Sequence, residues 1–280
     1  MGVVSEPEPA ANLTRRRFII GGLGLAGAAA AAGAAYAVLP PRYTRWVGTA
    51  PEPFIPDAPE GRIRLETVRS EARGRDVGLF TAVPAGHGDG AGLPVIVVLH
   101  GASATSADYQ SFGLGRFLTA AVDAGAEPFV LAGADGGLLR WEPDPAGGDD
   151  PRQMVLEEMP EWLAERGFDA GRRALWGWSM GGYGVLGVAE SDPTWARAVA
   201  AFSPAIARGD AVFGGVDALA GQPLGIWCGT DDGFYDDVQA LVAALPEPPE
   251  IASYGPGAHT RVYWNDQTVD AFTFLASYLG

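Results

Sequence analysis

The chain has 280 residues, of which 48% are apolar and 19% charged, and its formal net charge is −15. This composition excludes a disordered chain, and an acidic surface without a basic stripe excludes nucleic acid as a partner. The single cysteine, Cys228, excludes an intrachain disulfide and a cysteine-built metal site. It lies in the apolar run Pro223–Cys228, where a thiol packs as a small hydrophobe.

The N-terminus reads as an address. Thr14-Arg15-Arg16-Arg17-Phe18-Ile19-Ile20 precedes an uncharged Gly/Ala-rich stretch that runs to Leu39, the order of a charged n-region and an apolar h-region. The arginine pair before an apolar residue resembles a twin-arginine signal, so residues 1–39 are expected to engage the twin-arginine export machinery. The product would then be extracellular, periplasmic or associated with the cell envelope. Ala35-Tyr36-Ala37 offers an A-x-A cleavage site; left uncut, Phe18–Leu39 is about long enough to span a bilayer and attach the protein to a membrane. No cysteine stands nearby to carry a lipid. Residues 40–60, with six prolines, read as an extended linker. Residues 61–280 remain for one domain, a size that buries a full core.

Within that domain, Ile63–Arg69 and Val77–Val83 alternate in polarity around a Gly-containing turn and predict an antiparallel hairpin at a sheet edge. Pro94–Leu99 is instead a continuous β-branched run, the pattern of a strand covered on both faces. Further strands are predicted at Pro128–Ala132, Arg173–Trp176, Ala198–Phe202, Leu224–Cys228 and Glu250–Tyr254. Helical stretches are expected near 107–124, 152–166, 181–190, 234–244 and 265–279. The alternation implies an α/β class domain, a mostly parallel central sheet flanked by helices, with no insertion long enough for a large lid. Gly136–Pro151 is the longest candidate for a rim facing substrate, and its Asp144, Asp149 and Asp150 read as a solvated acidic loop rather than a calcium site.

Gly177-Trp178-Ser179-Met180-Gly181 has the G-x-S-x-G spacing between a predicted strand and a predicted helix. Very small residues two positions either side let the chain turn sharply and present Ser179 outward. A hydroxyl is a weak nucleophile and needs a base, itself oriented by a third group. Of the three histidines, His87 lies in a Gly-rich loop and His100 closes a buried strand, whereas His259 follows the last predicted strand. For the acid, strand Leu224–Cys228 leads into Gly229-Thr230-Asp231-Asp232, and Asp232 is favoured over Asp231 because it lies three residues past the glycine. The order Ser179, Asp232, His259 fits the nucleophile-elbow arrangement. An oxyanion hole is expected from the backbone N–H groups of Met180 and Ala102, with His100 positioning the Gly101–Ser103 turn. His100, Trp178 and Trp141 are the expected contacts on the substrate side. Tyr183, Phe234 and Tyr235 read equally as pocket and as core.

Together with Val98-Leu99-His100-Gly101, Ala134-Asp135-Gly136-Gly137, Glu157-Glu158-Met159-Pro160 and His259-Thr260-Arg261-Val262-Tyr263-Trp264, these motifs resemble the esterase-D-like branch of the α/β-hydrolases. That branch includes S-formylglutathione hydrolases, feruloyl esterases and mycolyltransferases, and the resemblance covers about residues 60–280. It implies a serine esterase that acts on a small-molecule, lipid or sugar ester through an acyl-enzyme, with no cofactor and no metal, and the N-terminal signal adds export. The alternatives are an exported acyltransferase with the same triad and a catalytically silent binding protein that keeps the fold.

Overall fold

The computed structural model describes residues 51–280. The export-type segment and the first half of the linker lie outside the described residues. The second half of the linker has no regular structure, yet it is tied to the domain. Asn265 Nδ2 donates to the Phe54 carbonyl at 2.6 Å, the Phe54 ring meets Phe117 edge-on at 6.1 Å, and Asp57 pairs with Arg116 at 3.0 Å.

Eight strands form one sheet in the order β1-β2-β4-β3-β5-β6-β7-β8. They are β1 (Ile63–Ser70), β2 (Arg75–Ala82), β3 (Pro94–Leu99), β4 (Val130–Ala134), β5 (Asp169–Trp178), β6 (Val199–Phe202), β7 (Leu224–Gly229) and β8 (Ile251–Gly255). The β1–β2 hairpin is antiparallel and sits at the edge as expected, and β3 to β8 run parallel. Every residue of β3 is buried, because the pleat sends alternate side chains into two separate cores. Val95, Val97 and Leu99 join one core and Ile96 and Val98 the other.

The first core is closed by three helical elements. They are α2, composed of Pro151–Gln153, a π-helical stretch Met154–Glu158 and Met159–Glu165; α3 (Met180–Ser191); and α4 (Tyr235–Ala244). The second is closed by α1 (Leu114–Asp123) and α5 (Arg261–Ala276).

Three helices differ from the sequence reading, two at a boundary and one in its interior, each for a local reason. The stretch near 107–124 is broken by Gly113, whose φ of 81° leaves the helical region and whose missing Cβ makes room for Ile55. In α2, Pro160 has no N–H to donate to Leu156, and the Met159 N–H reaches five residues back to the Met154 carbonyl, giving the π turn. Helix α5 starts at Arg261, ahead of the expected 265. Its first turns carry Tyr263 and Trp264, poor helix formers that pay their way by being buried.

One half-buried group is placed at a cost. Glu190, near the end of α3, has its carboxyl close against Gly215, and Oε1 finds no partner among the described residues. Burial pushes its pKa up to about 7, opposed by the nearby Arg152 cation. Because the folded state holds the proton more tightly, the charged form destabilises the fold. The penalty is absent below the ordinary carboxylate pKa near 4.5, grows as pH rises, and is complete above about 7. Discounted for partial exposure, it amounts to about 1–2 kcal/mol. Glu190→Gln should therefore raise the unfolding free energy by about that amount at pH 8 and leave it unchanged at pH 4, as read from urea unfolding at both pH values.

Candidate active site

Strand β5 ends at Trp178 and α3 begins at Met180, so Ser179 makes the whole turn between them, at φ 57° and ψ −121°. The turn is pressed against the end of β3. A Cβ on Gly181 would overlap the Leu99 carbonyl, and one on Gly177 would run into the Gly181 carbonyl. That is the physical need for glycine at both positions. The Ser179 N–H donates to Phe202 C=O at 2.8 Å, and the Ser179 carbonyl accepts from Tyr183 N–H at 3.1 Å and Ala205 N–H at 2.9 Å.

Ser179 Oγ lies 2.8 Å from His259 Nε2, and His259 Nδ1 lies 2.9 Å from Asp232 Oδ2. With Nδ1–H donating to the carboxylate, Nε2 is left to accept from the serine hydroxyl. The structure thus brings together the three residues named from the sequence. The Asp232 side chain is fully buried, while Asp231 is exposed and uses its N–H on the Gly257 carbonyl at 2.8 Å. Asp232 also caps its own turn, its Oδ1 accepting from Phe234 N–H at 3.0 Å. Thr230 N–H donates to Gly255 C=O at 2.8 Å, which joins the acid loop to the histidine loop. The His259 ring is held edge-on between Phe234 at 5.1 Å and Trp264 at 4.9 Å.

Met180 opens α3, so its N–H belongs to the set a helix leaves unpaired, at the positive end of the helix dipole. Facing it, the chain after Leu99 turns at Gly101–Ala104, closed by Ala104 N–H to Gly101 C=O at 3.2 Å. A Cβ on Gly101 would come to 3.2 Å from Ser179 Cβ, which places this turn, with the half-buried Ala102, beside the serine.

His100 and Trp141 are found under the site and not on its surface, which corrects their expected role as substrate contacts. His100 is 1% exposed and Trp141 fully buried. His100 Nδ1 lies 2.8 Å from Gly101 C=O, and Nε2 accepts from Gly136 N–H at 2.9 Å. Both bonds require the neutral ring with its proton on Nδ1, and burial, the dominant influence, lowers its pKa. Trp141 packs against that ring at 5.0 Å and donates its indole N–H to the His100 carbonyl at 3.1 Å. Trp178 is 5% exposed. It borders a cavity shared with Phe112, Arg261 and Trp264. Tyr183 is buried, whereas Phe234 and Tyr235 are half-buried. His87 lies exposed in its loop, and Cys228 is buried with its thiol pKa pushed up to about 12 by desolvation.

Two supports had no signal in the sequence. The Gly136–Asp150 loop is clamped at its base by Arg73, from the β1–β2 turn, whose guanidinium donates to Asp149 and to the Asp135 carbonyl. Asp149 also pairs with Arg75, so this acid is a buried ion-pair partner and not a solvated one. Asp150 instead caps α2 through Gln153 N–H at 2.8 Å. No group able to hold a metal ion is present among the described residues. The second support is Ser203, buried at φ 41°, whose Oγ accepts from Trp264 Nε1 at 2.9 Å and so steadies the ring that packs on His259.

A serine hydroxyl, an oriented imidazole and a buried carboxylate, beside two N–H groups at the end of a parallel sheet, form the equipment for acyl transfer. The chain also matches the family described as "Putative esterase" over residues 70–242, more than half of its length. It belongs to this esterase family. As a member it is a serine hydrolase of carboxylic esters with the α/β-hydrolase fold. Among solved structures it is similar to a ferulic acid esterase, at 18% identity and a TM-score of 0.67, covering 79% of this chain and 99% of that one. It is also similar to an S-formylglutathione hydrolase from Agrobacterium tumefaciens, at 18% identity and a TM-score of 0.65, covering 79% and 96%. A third, a fluorophosphonate-binding serine hydrolase of Staphylococcus aureus, shares 17% identity with a TM-score of 0.61 over 78% and 99%. No curated protein sequence matches the chain.

The bonds through His100 make it a positioning residue for the Gly101–Ala102 turn. His100→Gln should lower kcat by about tenfold to a hundredfold while KM stays within about threefold, since the turn acts on the transition state. A change confined to KM in steady-state kinetics would contradict this role.

Proposed function

We propose that the protein is an exported serine esterase that works through a Ser179–His259–Asp232 triad and an acyl-enzyme. The observation that carries the reading is the unbroken hydrogen-bonded path from Ser179 Oγ through His259 to a fully buried Asp232 carboxylate. Ser179 Oγ attacks the ester carbonyl carbon as His259 Nε2 takes its proton, and the Asp232 carboxylate stabilises the imidazolium that results. The carbonyl oxygen, now negative, accepts from the N–H groups of Met180 and Ala102. As the tetrahedral intermediate collapses, the C–O bond to the alcohol breaks and the alcohol leaves with the proton from Nε2. Water then attacks the acyl carbon as it gives a proton to Nε2, and when the second tetrahedral intermediate collapses the bond to Oγ breaks, Nε2 returns the proton to Ser179 and the acid is released.

Export rests on the sequence alone, on Arg15-Arg16 ahead of the apolar stretch. Residues 1–39 direct the folded protein out of the cytoplasm, and the domain acts outside on a small-molecule, lipid or sugar ester.

Wild type and Ser179→Ala should be compared on p-nitrophenyl esters from acetate to octanoate, after confirming that both fold. Loss of the hydroxyl should cut kcat/KM by a factor of about 10³ or more, and a fluorophosphonate should label wild type alone. Equal nonzero rates would remove Ser179 from the mechanism. An enzyme that forms the acyl-serine but passes the acyl group to added alcohol or sugar, at the expense of free acid, would be an acyltransferase instead.

For export, replacing Arg15 and Arg16 together by lysine should leave the protein in the cytoplasmic fraction. Unchanged recovery outside the cytoplasm would overturn the twin-arginine reading.

A further inference from the structure

We propose that Arg62, Arg64 and Arg166 form a second site, remote from Ser179, that binds a tetrahedral oxyanion of the phosphate class. The three guanidinium groups line one cavity of about 90 Å³ together with Thr81, Val83, Asp89 and Phe168, well above the ~10–15 Å³ that holds a single water.

The register places this cavity. Arg64 pairs across the hairpin with Thr81, and Val83 N–H donates to the Arg62 carbonyl at 2.9 Å. Ala82 stands beside Leu131 near the start of β4, and Phe168 immediately precedes β5. The cavity therefore lies at the edge where the parallel strands begin, whereas Ser179 lies where β5 ends. The two sites occupy opposite edges of the sheet.

The charge arrangement is unusual for this chain. All 19 of its Lys and Arg residues are arginines, set against 34 acidic ones, so carboxylates outnumber guanidinium groups. Accordingly Arg116 meets Asp57 at 3.0 Å, Arg172 meets Asp169 at 2.7 Å and Arg208 meets Asp237 at 3.4 Å. The Arg62 and Arg64 side chains have no ion pair, hydrogen bond or ring contact among the described residues. Arg64 lies in β1 and Arg62 immediately precedes it, its carbonyl bonded to Val83 N–H, and both side chains line the same cavity.

Arg166 is fixed beside them, with Nε on Glu66 at 2.9 Å and Nη1 on the Trp162 carbonyl at 2.6 Å, and its Nη2 has no acceptor among the described residues. The acid that faces the cavity is Asp89. It is exposed, and its Oδ1 accepts from Ala91 N–H at 3.2 Å. Two unpaired guanidinium groups and the free edge of a third leave planar N–H forks with unmet donor capacity around one hollow, the geometry that suits phosphate or sulfate bidentately. The buried Val83 and Phe168 give the hollow apolar walls that strengthen such contacts.

The ligand is the oxyanion itself, either free or as a monoester of a larger molecule. The test is calorimetric titration of the protein with inorganic phosphate and, in a parallel arm, with glycerol phosphate, near neutral pH and at low ionic strength. Wild type should bind at one saturable site, and both Arg62→Gln and Arg64→Gln should weaken it by about tenfold or more, the loss of a charge-assisted bond. Arg208→Gln should bind like wild type, and so should Ser179→Ala, because the site is independent of the esterase chemistry. Equal affinity in the two arms supports a site for the free ion, and tighter binding of glycerol phosphate supports one for a monoester. As a check on folding, phosphate should raise the melting temperature of wild type but not of either cavity variant. No saturable binding by wild type, or the same affinity in all variants, would overturn the proposal.

Discussion

The arrangement depends first on one steric constraint, the seating of the Ser179 turn against the end of β3. A non-glycine residue at φ 57° and ψ −121° is held outside the common backbone regions, at a cost of about 1–3 kcal/mol. Such a conformation persists only where its surroundings leave no alternative. Here the residues two positions either side, Gly177 and Gly181, are packed onto carbonyl groups, and the Ser179 backbone makes bonds to β6, α3 and the chain just after β6. The strained residue is therefore fixed by three elements that are themselves buried. Adding one methyl group at Gly181 would force β3 and α3 apart at the position where both supply parts of the site.

From that fixed point the remaining groups follow the direction of the sheet. Strands β3, β5, β7 and β8 are parallel, so the turns that follow them open on one edge. The oxyanion turn, the serine, the acid and the histidine arrive there from four places far apart in sequence. Packing then locks each in place: the β7 and β8 loops bond to each other through Thr230 and Gly255, and the imidazole lies between two aromatic rings. Asp232 can hold an imidazole from a fully buried position because the Phe234 N–H and the His259 Nδ1–H together satisfy its two oxygens.

The sequence made the frame legible because its signals are local. The unbroken apolar run of β3, the alternation in β1 and β2 and the G-x-S-x-G turn each report on a few adjacent residues, and the expected strands lie where the structure has them. The candidate site was legible for a related reason: with only three histidines, elimination and chain order narrowed the choice. What escaped was non-local or depended on partners. Trp141 and His100 were read as facing substrate because a large aromatic and an imidazole near a catalytic loop fit a pocket as well as a core. Only the folded chain shows that the indole closes over the imidazole from below. Arg73 gave no signal, since a basic residue in a hairpin turn is ordinarily solvated, and its partner Asp149 lies 76 residues away. The break at Gly113, just ahead of α1, likewise needed the position of Ile55, which belongs to a stretch read as a linker.

The link from Arg73 to the oxyanion turn shows how the edge hairpin takes part in a site it never touches. Arg73 holds the Asp135 carbonyl and Asp149, the two ends of the rim loop. Asp135 in turn accepts from Ser106 N–H at 2.7 Å and Gly78 N–H at 2.9 Å, so its backbone cannot drift. The next residue, Gly136, supplies the N–H that fixes the His100 ring, and the ring fixes the Gly101 carbonyl ahead of Ala102. Each joint is a buried or half-buried polar contact with a single satisfied geometry, and such contacts are costly to break one at a time. The hairpin thereby sets the direction of a backbone N–H at the catalytic edge through four short steps, none of which needs a charged group in the pocket. An acidic enzyme gains from this, because developing negative charge on the substrate is met by neutral backbone dipoles whose orientation is already fixed before the ester binds.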